Sequence, residues 1–290
     1  MRITGNRMIE LAAAATASNQ TQVASASAEV SSGLRVARSS DDPAAYAAGE
    51  RAKLQRSLAT GTGAAIQASR DRLDETDAAL STIGDAVSEV RQLAVQGSSA
   101  SYNANDRAAL ATQIRALMES ARGAANARSS DGEYLLAGSQ SLTEPFAATG
   151  AYSGDASRRE VPMTAGANTF ATVSGADLTA ASGVDVLPLL ERVAAALAAN
   201  DPDATSALLG DLDTAIKQVG AARTRTGNTM TVLDSTKEAQ SVLAENLSRE
   251  ISRSVESDTI AAASQLAKAS QSLEASRAVT SHVIQLLQPL

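Results

Sequence analysis

A seam of mostly apolar residues runs through Ile66, Ser69, Leu73, Thr76, Leu80, Ile83, Val87, Val90 and Ala94. Its steps alternate three and four, the 3.5-residue period of a coiled-coil face held for about four heptads. A matching seam passes through Leu208, Leu212, Ala215, Val219, Ala222, Thr226, Thr229, Leu233, Thr236, Gln240, Leu243 and Leu247. A third, Leu266, Ala269, Leu273, Ser276, Thr280, Val283, Leu287 and Leu290, closes the chain. These patterns predict long helices in both halves. A helix from Tyr46 to Gln96 would be about 75 Å long, so it needs an equally long partner, and the C-terminal tract is the candidate.

The breaks between these runs carry their own signals. In "EVSSGLRVARSSDDPAAYA", Glu29 to Ala47, a first helix is expected to stop at Gly33, where a residue without Cβ can turn left-handed. A second starts at Asp42, whose carboxylate can accept from the free N–H groups of the first turn, with Pro43 at the first helical position. Leu34 to Ser40 then reads as a linker. "SSASYNANDRAAL" supplies turn formers and an Asn or Asp cap before a shorter helix with Leu110, Ile114, Leu117, Ala121 and Ala124. From Ser129 to Gly183 the character changes, with seven of the 18 glycines, Pro145 and Pro162, which predicts a small β-rich insert.

The expected fold is therefore mainly α: a long antiparallel helical coiled-coil bundle formed by the N- and C-terminal tracts, with the small β-rich insert at its tip. The expected division is a terminal helical assembly domain at 1–42 and 258–290, a helical-bundle domain at 43–130 and 184–257, and the insert at 131–183. Residues 1–32 offer only a sparse apolar stripe of Ile3, Met8, Leu11, Ala15 and Val23. That is too little to stabilise a lone helix, so the ends are expected to order fully when neighbouring subunits cover them.

Composition narrows the chemistry. Hydrophobic residues make up 44% of 290, but aromatics only 2%, which suits close helix packing. There is no cysteine, so disulfides and thiolate chemistry are excluded. A net charge of -7 without a Lys/Arg cluster argues against nucleic acid as a partner. No membrane span and no cleavable leader is read at the N-terminus. His282 is the single histidine and has no second His or Cys to work with. "TGTGAA", Thr60 to Ala65, lacks the Lys-Ser/Thr of a phosphate loop and lies inside a helical pattern. "DPDATSALLGDL" places Ser206 and Leu212 where a calcium loop needs glycine and glutamate, so Asp201 reads as a helix cap. Asp41 and Asp42 are adjacent, and adjacent side chains diverge too far for paired acid–base work. No enzyme constellation and no cofactor site is expected.

Four segments resemble the bacterial flagellin superfamily and, within it, the hook-associated protein 3 family. "SSGLRVARSSDDPAAYA" is similar to the family's SSG or STG, K/R-[IV], spacer, DDPA loop, and "VRQLAVQGSSASYNANDRAAL", Val90 to Leu110, to a stretch the superfamily shares. "DGEYLLAGSQSLTEPF", Asp131 to Phe146, resembles the GxYxFxGxxxxxxPF entry into the junction family's insert, with Leu136 where an aromatic is usual. Ser257 to Leu290 matches the terminal pattern loosely. Pro43 after the aspartate pair, and the Pro145–Phe146 pair, favour the junction family over flagellin.

The resemblance implies a secreted structural protein, exported unfolded without a cleaved leader. It would form a ring or helical assembly at the hook–filament junction, with hook-associated protein 1 and flagellin as neighbours and an export chaperone as a further partner. On this reading the assembly interface comprises Gly33, Leu34, Arg35, Val36, Asp41, Asp42, Pro43, Leu266, Leu273, Val283, Leu287 and Leu290. Flagellin itself, and a helical adaptor that binds partner helices, are the alternatives.

Overall fold

Residues 2–164, 167–170 and 172–287 are described by a computed structural model of the chain. Seven α-helices occur among them, α1 (Arg2–Ser32), α2 (Pro43–Gly97), α3 (Ala104–Ala125), α4 (Val186–Ala198), α5 (Pro202–Ala207), α6 (Leu209–Val255) and α7 (Thr259–Leu287). One hairpin, β1 (Glu160–Thr164) with β2 (Ala167–Phe170), joins them. The architecture is mainly helical with one small sheet, as the seams predict. It divides into two compact units, Met1–Ala59 with Val242–Leu290, and Thr60–Ser241. The boundaries expected from sequence fell at 42/43 and 257/258, in the loops rather than within α2 and α6.

In the Thr60–Ser241 unit the seams form the core. Leu80, Ile83, Val87 and Val90 of α2 meet Leu212, Ala215, Val219 and Ala222 of α6 in one buried cluster. The ion pairs Arg70–Asp234, Asp77–Arg223 and Arg91–Asp213 show the two helices running antiparallel within this unit. Packed against that pair, α3 and α4 contribute Ala111, Ile114, Met118, Val186, Leu190, Val193 and Leu197. The capping box between Asn103 and Asp106 starts α3, and Asp201 caps α5 by accepting from the Ala204 N–H. Arg107 locks the turn before α3: its guanidinium donates to the Gly97 and Ser99 carbonyls and to Asn200.

The insert has less regular β-structure than its composition suggests. Its strands are one antiparallel hairpin pairing Glu160 with Phe170 and Val161 with Thr169, and two short 3-10 helices and turns make up most of the remainder. Outside that hairpin its chain is held by side chains. The Tyr152 hydroxyl lies 3.0 Å from the Leu136 carbonyl and 2.7 Å from that of Asp155. Burial raises the Tyr152 pKa above its ordinary value, so the hydroxyl stays a donor. The Asp155 carboxylate accepts from the Ser139 hydroxyl and from the Ser139 and Ser157 N–H groups, which lower its pKa to about 2. This anchor is therefore present above the ordinary carboxylate range and is lost only as pH falls through about 2. Gln218 of α6 ties the insert's exit to the bundle, donating to the Asp177 and Thr179 carbonyls while accepting from the Val184 N–H.

Within α2, Gly61 and Gly63 have helical backbone, and a Cβ at either would meet nothing within 4 Å. Neither packing nor conformation requires glycine there, and each costs about 1 kcal/mol relative to alanine. The double variant Gly61→Ala/Gly63→Ala should therefore stabilise the chain by about 1–2 kcal/mol in urea unfolding. An unchanged or lower midpoint would show that these glycines relieve a contact.

Candidate assembly surface

The surface that connects the terminal helices to the rest of their unit begins at Gly33. Its φ of +69° places it in the left-handed region, and its N–H donates to the Glu29 carbonyl at 2.9 Å, which closes the last turn of α1. Nine residues later Asp42 Oδ1 accepts from the Ala44 and Ala45 N–H groups at 3.1 and 3.0 Å, which starts α2 with Pro43 at its first position. Between these caps, Asp41 Oδ2 accepts from the N–H groups of Ala37 and Arg38, which folds the loop back on itself. The two aspartates thus hold different backbone segments.

The C-terminal tract breaks beside this loop. After α6 ends at Val255, Asp258 accepts from the Ile260 and Ala261 N–H groups to start α7. The two breaks are joined through the backbone: Leu34 bridges Glu256, the Arg35 and Val36 N–H groups donate to the Val255 carbonyl, and the Ser257 N–H donates to the Gly33 carbonyl at 2.8 Å. Side chains add to this. Arg35 donates to the Ser254 carbonyl at 2.6 Å and lies 3.8 Å from Asp42, and the Ser257 hydroxyl donates to Glu29. Beneath the joint sits a small core of Val36, Ala52, Leu247, Ile251 and Val255, with Leu34, Ala45 and Tyr46 against it.

Beyond the joint, α1 and α7 pack side by side and antiparallel. Thr16 meets Thr280 at 3.1 Å, and Asn19 donates to Ser276 and to the Ser272 carbonyl. Ala26 and Ala262 are the buried apolar residues of this pair among the described side chains. Its contact face sets Thr16, Asn19, Ser276 and Thr280 beside the half-buried Leu266, Leu273 and Val283. Other large apolar side chains face outward: Met8 and Leu11 on α1, and Ile260, Val279 and Ile284 on α7, with Leu11 68% and Val279 59% exposed.

This arrangement corrects three readings from sequence. Val36, expected to touch neighbouring subunits, is 3% exposed inside the chain's own core, because the backbone bridge turns it toward Ile251 and Val255. Residues 34–40 are for the same reason a stitched joint rather than a free linker. The closing seam also faces inward: Leu266, Leu273 and Val283 are half-buried on the side that carries Ser276 and Thr280, toward α1. Leu290 lies outside the described residues, as does the side chain of Leu287. Gly33, Leu34, Arg35, Asp41, Asp42 and Pro43 gather at the joint. The outward residues were missed because Ile260, Val279 and Ile284 stand off the seam; their signal was apolar residues in excess of what one seam needs.

The caps, the joint and the paired terminal helices define a chain whose two ends form one helical layer. Residues 3–141 match the family described as the bacterial flagellin N-terminal helical region. The chain is similar over that region to flagellins, and among curated proteins to hook-associated protein 3. Flagellar hook-associated protein 3 of Salmonella typhimurium is 27% identical over 157 residues, which is 53% of this chain and 49% of that protein. The match thus spans about half the relative's length. Among solved structures, one of a protein assigned as flagellar hook-associated from Vibrio parahaemolyticus superposes with a TM-score of 0.68 at 21% identity, over 74% of this chain and 100% of that one. Bacillus cereus FlgL gives 0.58 at 20% identity, over 69% and 96%. These structures share the fold.

Valine at position 33 cannot adopt the left-handed backbone without a cost of about 1–2 kcal/mol, and Val36→Ala removes buried methyl groups worth about 2 kcal/mol. Both variants should lower the urea midpoint of the purified chain, whereas Arg38→Ala, exposed in the same loop, should not. Equal midpoints for all three would show that the joint does not stabilise the fold.

Proposed function

We propose that this chain is a structural subunit of the bacterial flagellum at the junction between hook and filament, assembling head to tail with copies of itself through its paired terminal helices. The observation that carries the reading is the outward apolar set on α1 and α7. Met8, Leu11, Ile260, Val279 and Ile284 face solvent on a helical pair already joined through Thr16, Asn19, Ser276 and Thr280. An isolated chain gains nothing from that distribution, whereas stacked copies bury it. The resemblance to hook-associated protein 3 supplies the setting, and no metal-binding group is found among the described residues.

The finer parts of the reading follow from the same resemblance. The chain is exported unfolded, acts outside the cell, has no enzyme activity, and has hook-associated protein 1 and flagellin as neighbours, with a chaperone before export. No helix among the described residues is long and apolar enough to cross a membrane. A filament subunit is the second reading, since the matched N-terminal region is described for flagellin. The two differ in copy number: purified protein that elongates into long filaments would favour flagellin, and short material that stops growing would favour the junction.

Leu11→Glu with Val279→Glu should leave the monomer's unfolding midpoint within about 0.5 kcal/mol, because both side chains are exposed. It should also abolish sedimentable assemblies and hook–filament joining. Assembly at the parent's level would remove the terminal helices from the interface.

A further inference from the structure

A second apolar surface lies on the part of the unit that the terminal helices leave open. Leu54 and Leu58 of α2 are 63% and 62% exposed. They stand one helical turn apart and share a face. That face continues upstream through Arg51 and Ala47, both exposed, in steps of three and four, the spacing that receives a partner helix. On α6, within the same unit, Val242 and Leu243 are each nearly half-exposed. Leu243 occupies a seam position, where its own chain's other helix should have covered it.

The two patches carry opposite charge. Around Leu54 and Leu58, Arg51 and Lys53 outnumber the single acid Glu50, with which Lys53 pairs, while Arg56 donates to Ser248 of its own chain. From Val242 to Glu250, the acids Glu245 and Glu250 outnumber the single base Arg249, which pairs with Glu245. Two different, complementary patches on one molecule make a heterologous contact, and such a contact propagates from copy to copy.

We infer that Leu54 and Leu58 of one copy dock against Val242 and Leu243 of the next, as a lateral contact separate from the face formed by α1 and α7. The inference rests on the assembly reading above and adds a second interface to it. Burying two leucines beside aligned opposite charge fixes which neighbour is met and in which direction, while the terminal helices supply their own contact.

Because the chain contains no cysteine, two singly substituted chains, Leu58→Cys and Val242→Cys, report this contact without background. Mixed under assembling conditions and oxidised, they should give a disulfide-linked heterodimer, with little linked product from either chain alone. Linkage of the Leu58→Cys chain to itself at equal yield, linkage only to a different co-assembled protein, or no linkage in sedimentable material would each overturn the contact.

The charge variant Leu54→Glu/Leu58→Glu provides the second arm. It should unfold at the parent's midpoint yet need about a hundredfold more protein for half-assembly, the loss of two buried leucines. Parent-like assembly of this variant would overturn the lateral contact while leaving the terminal-helix reading standing. Failure of the unsubstituted chain to assemble under any condition would overturn both.

Discussion

The structure of the Met1–Ala59 and Val242–Leu290 unit depends on two helix breaks being placed side by side and bonded to each other. Gly33 ends one helix and Val255 another, and the carbonyls of these two residues accept the Ser257, Arg35 and Val36 N–H groups. A helix end leaves unpaired carbonyls and N–H groups that must find partners. Here each break satisfies part of the other's deficit. Neither loop could be displaced without exposing the small core of Val36, Ile251 and Val255 that lies under both.

The joint separates two kinds of helix packing. In α2 and α6 of the Thr60–Ser241 unit, the seams bury leucine, isoleucine and valine, which is the ordinary basis of helical stability. In α1 and α7 alanine, threonine, serine and asparagine share the contact face with the half-buried Leu266, Leu273 and Val283, while Met8, Leu11, Ile260, Val279 and Ile284 turn outward. Exposed apolar groups at the ends of a subunit are the kind of surface that neighbouring copies cover. The patch at Leu54, Leu58, Val242 and Leu243 is a further exposed apolar surface in the same unit.

Much of this was legible in the sequence. The 3.5-residue period located the buried faces of α2 and α6, and the Asp–Pro pairs at 42–43 and 201–202 marked helix starts, because cap chemistry is local. Orientation was not legible. The seam through Leu266, Leu273 and Val283 looks the same whether it faces a neighbour or the chain's own α1, and polar contacts such as Thr16 to Thr280 decide it at a sequence separation of 264. Val36 reads as a loop residue until its backbone is seen bonded to Val255. The insert was legible as a small region with a β-hairpin, but not in how its turns are held. Glycine and short apolar runs signal turns and strands alike, and here Tyr152, Asp155 and Gln218 hold the turns that lie outside the one hairpin.

The central claim is that the joint belongs to the folded body and that the helices beyond it do not share its stability. Amide hydrogen exchange on the purified monomer tests this most directly. The Arg35, Val36 and Ser257 amides are predicted to exchange as slowly as those inside α2, while the amides of α1 before Ala26 and of α7 after Leu273 exchange far faster. Joint amides that exchanged as fast as those of the terminal helices would contradict the account.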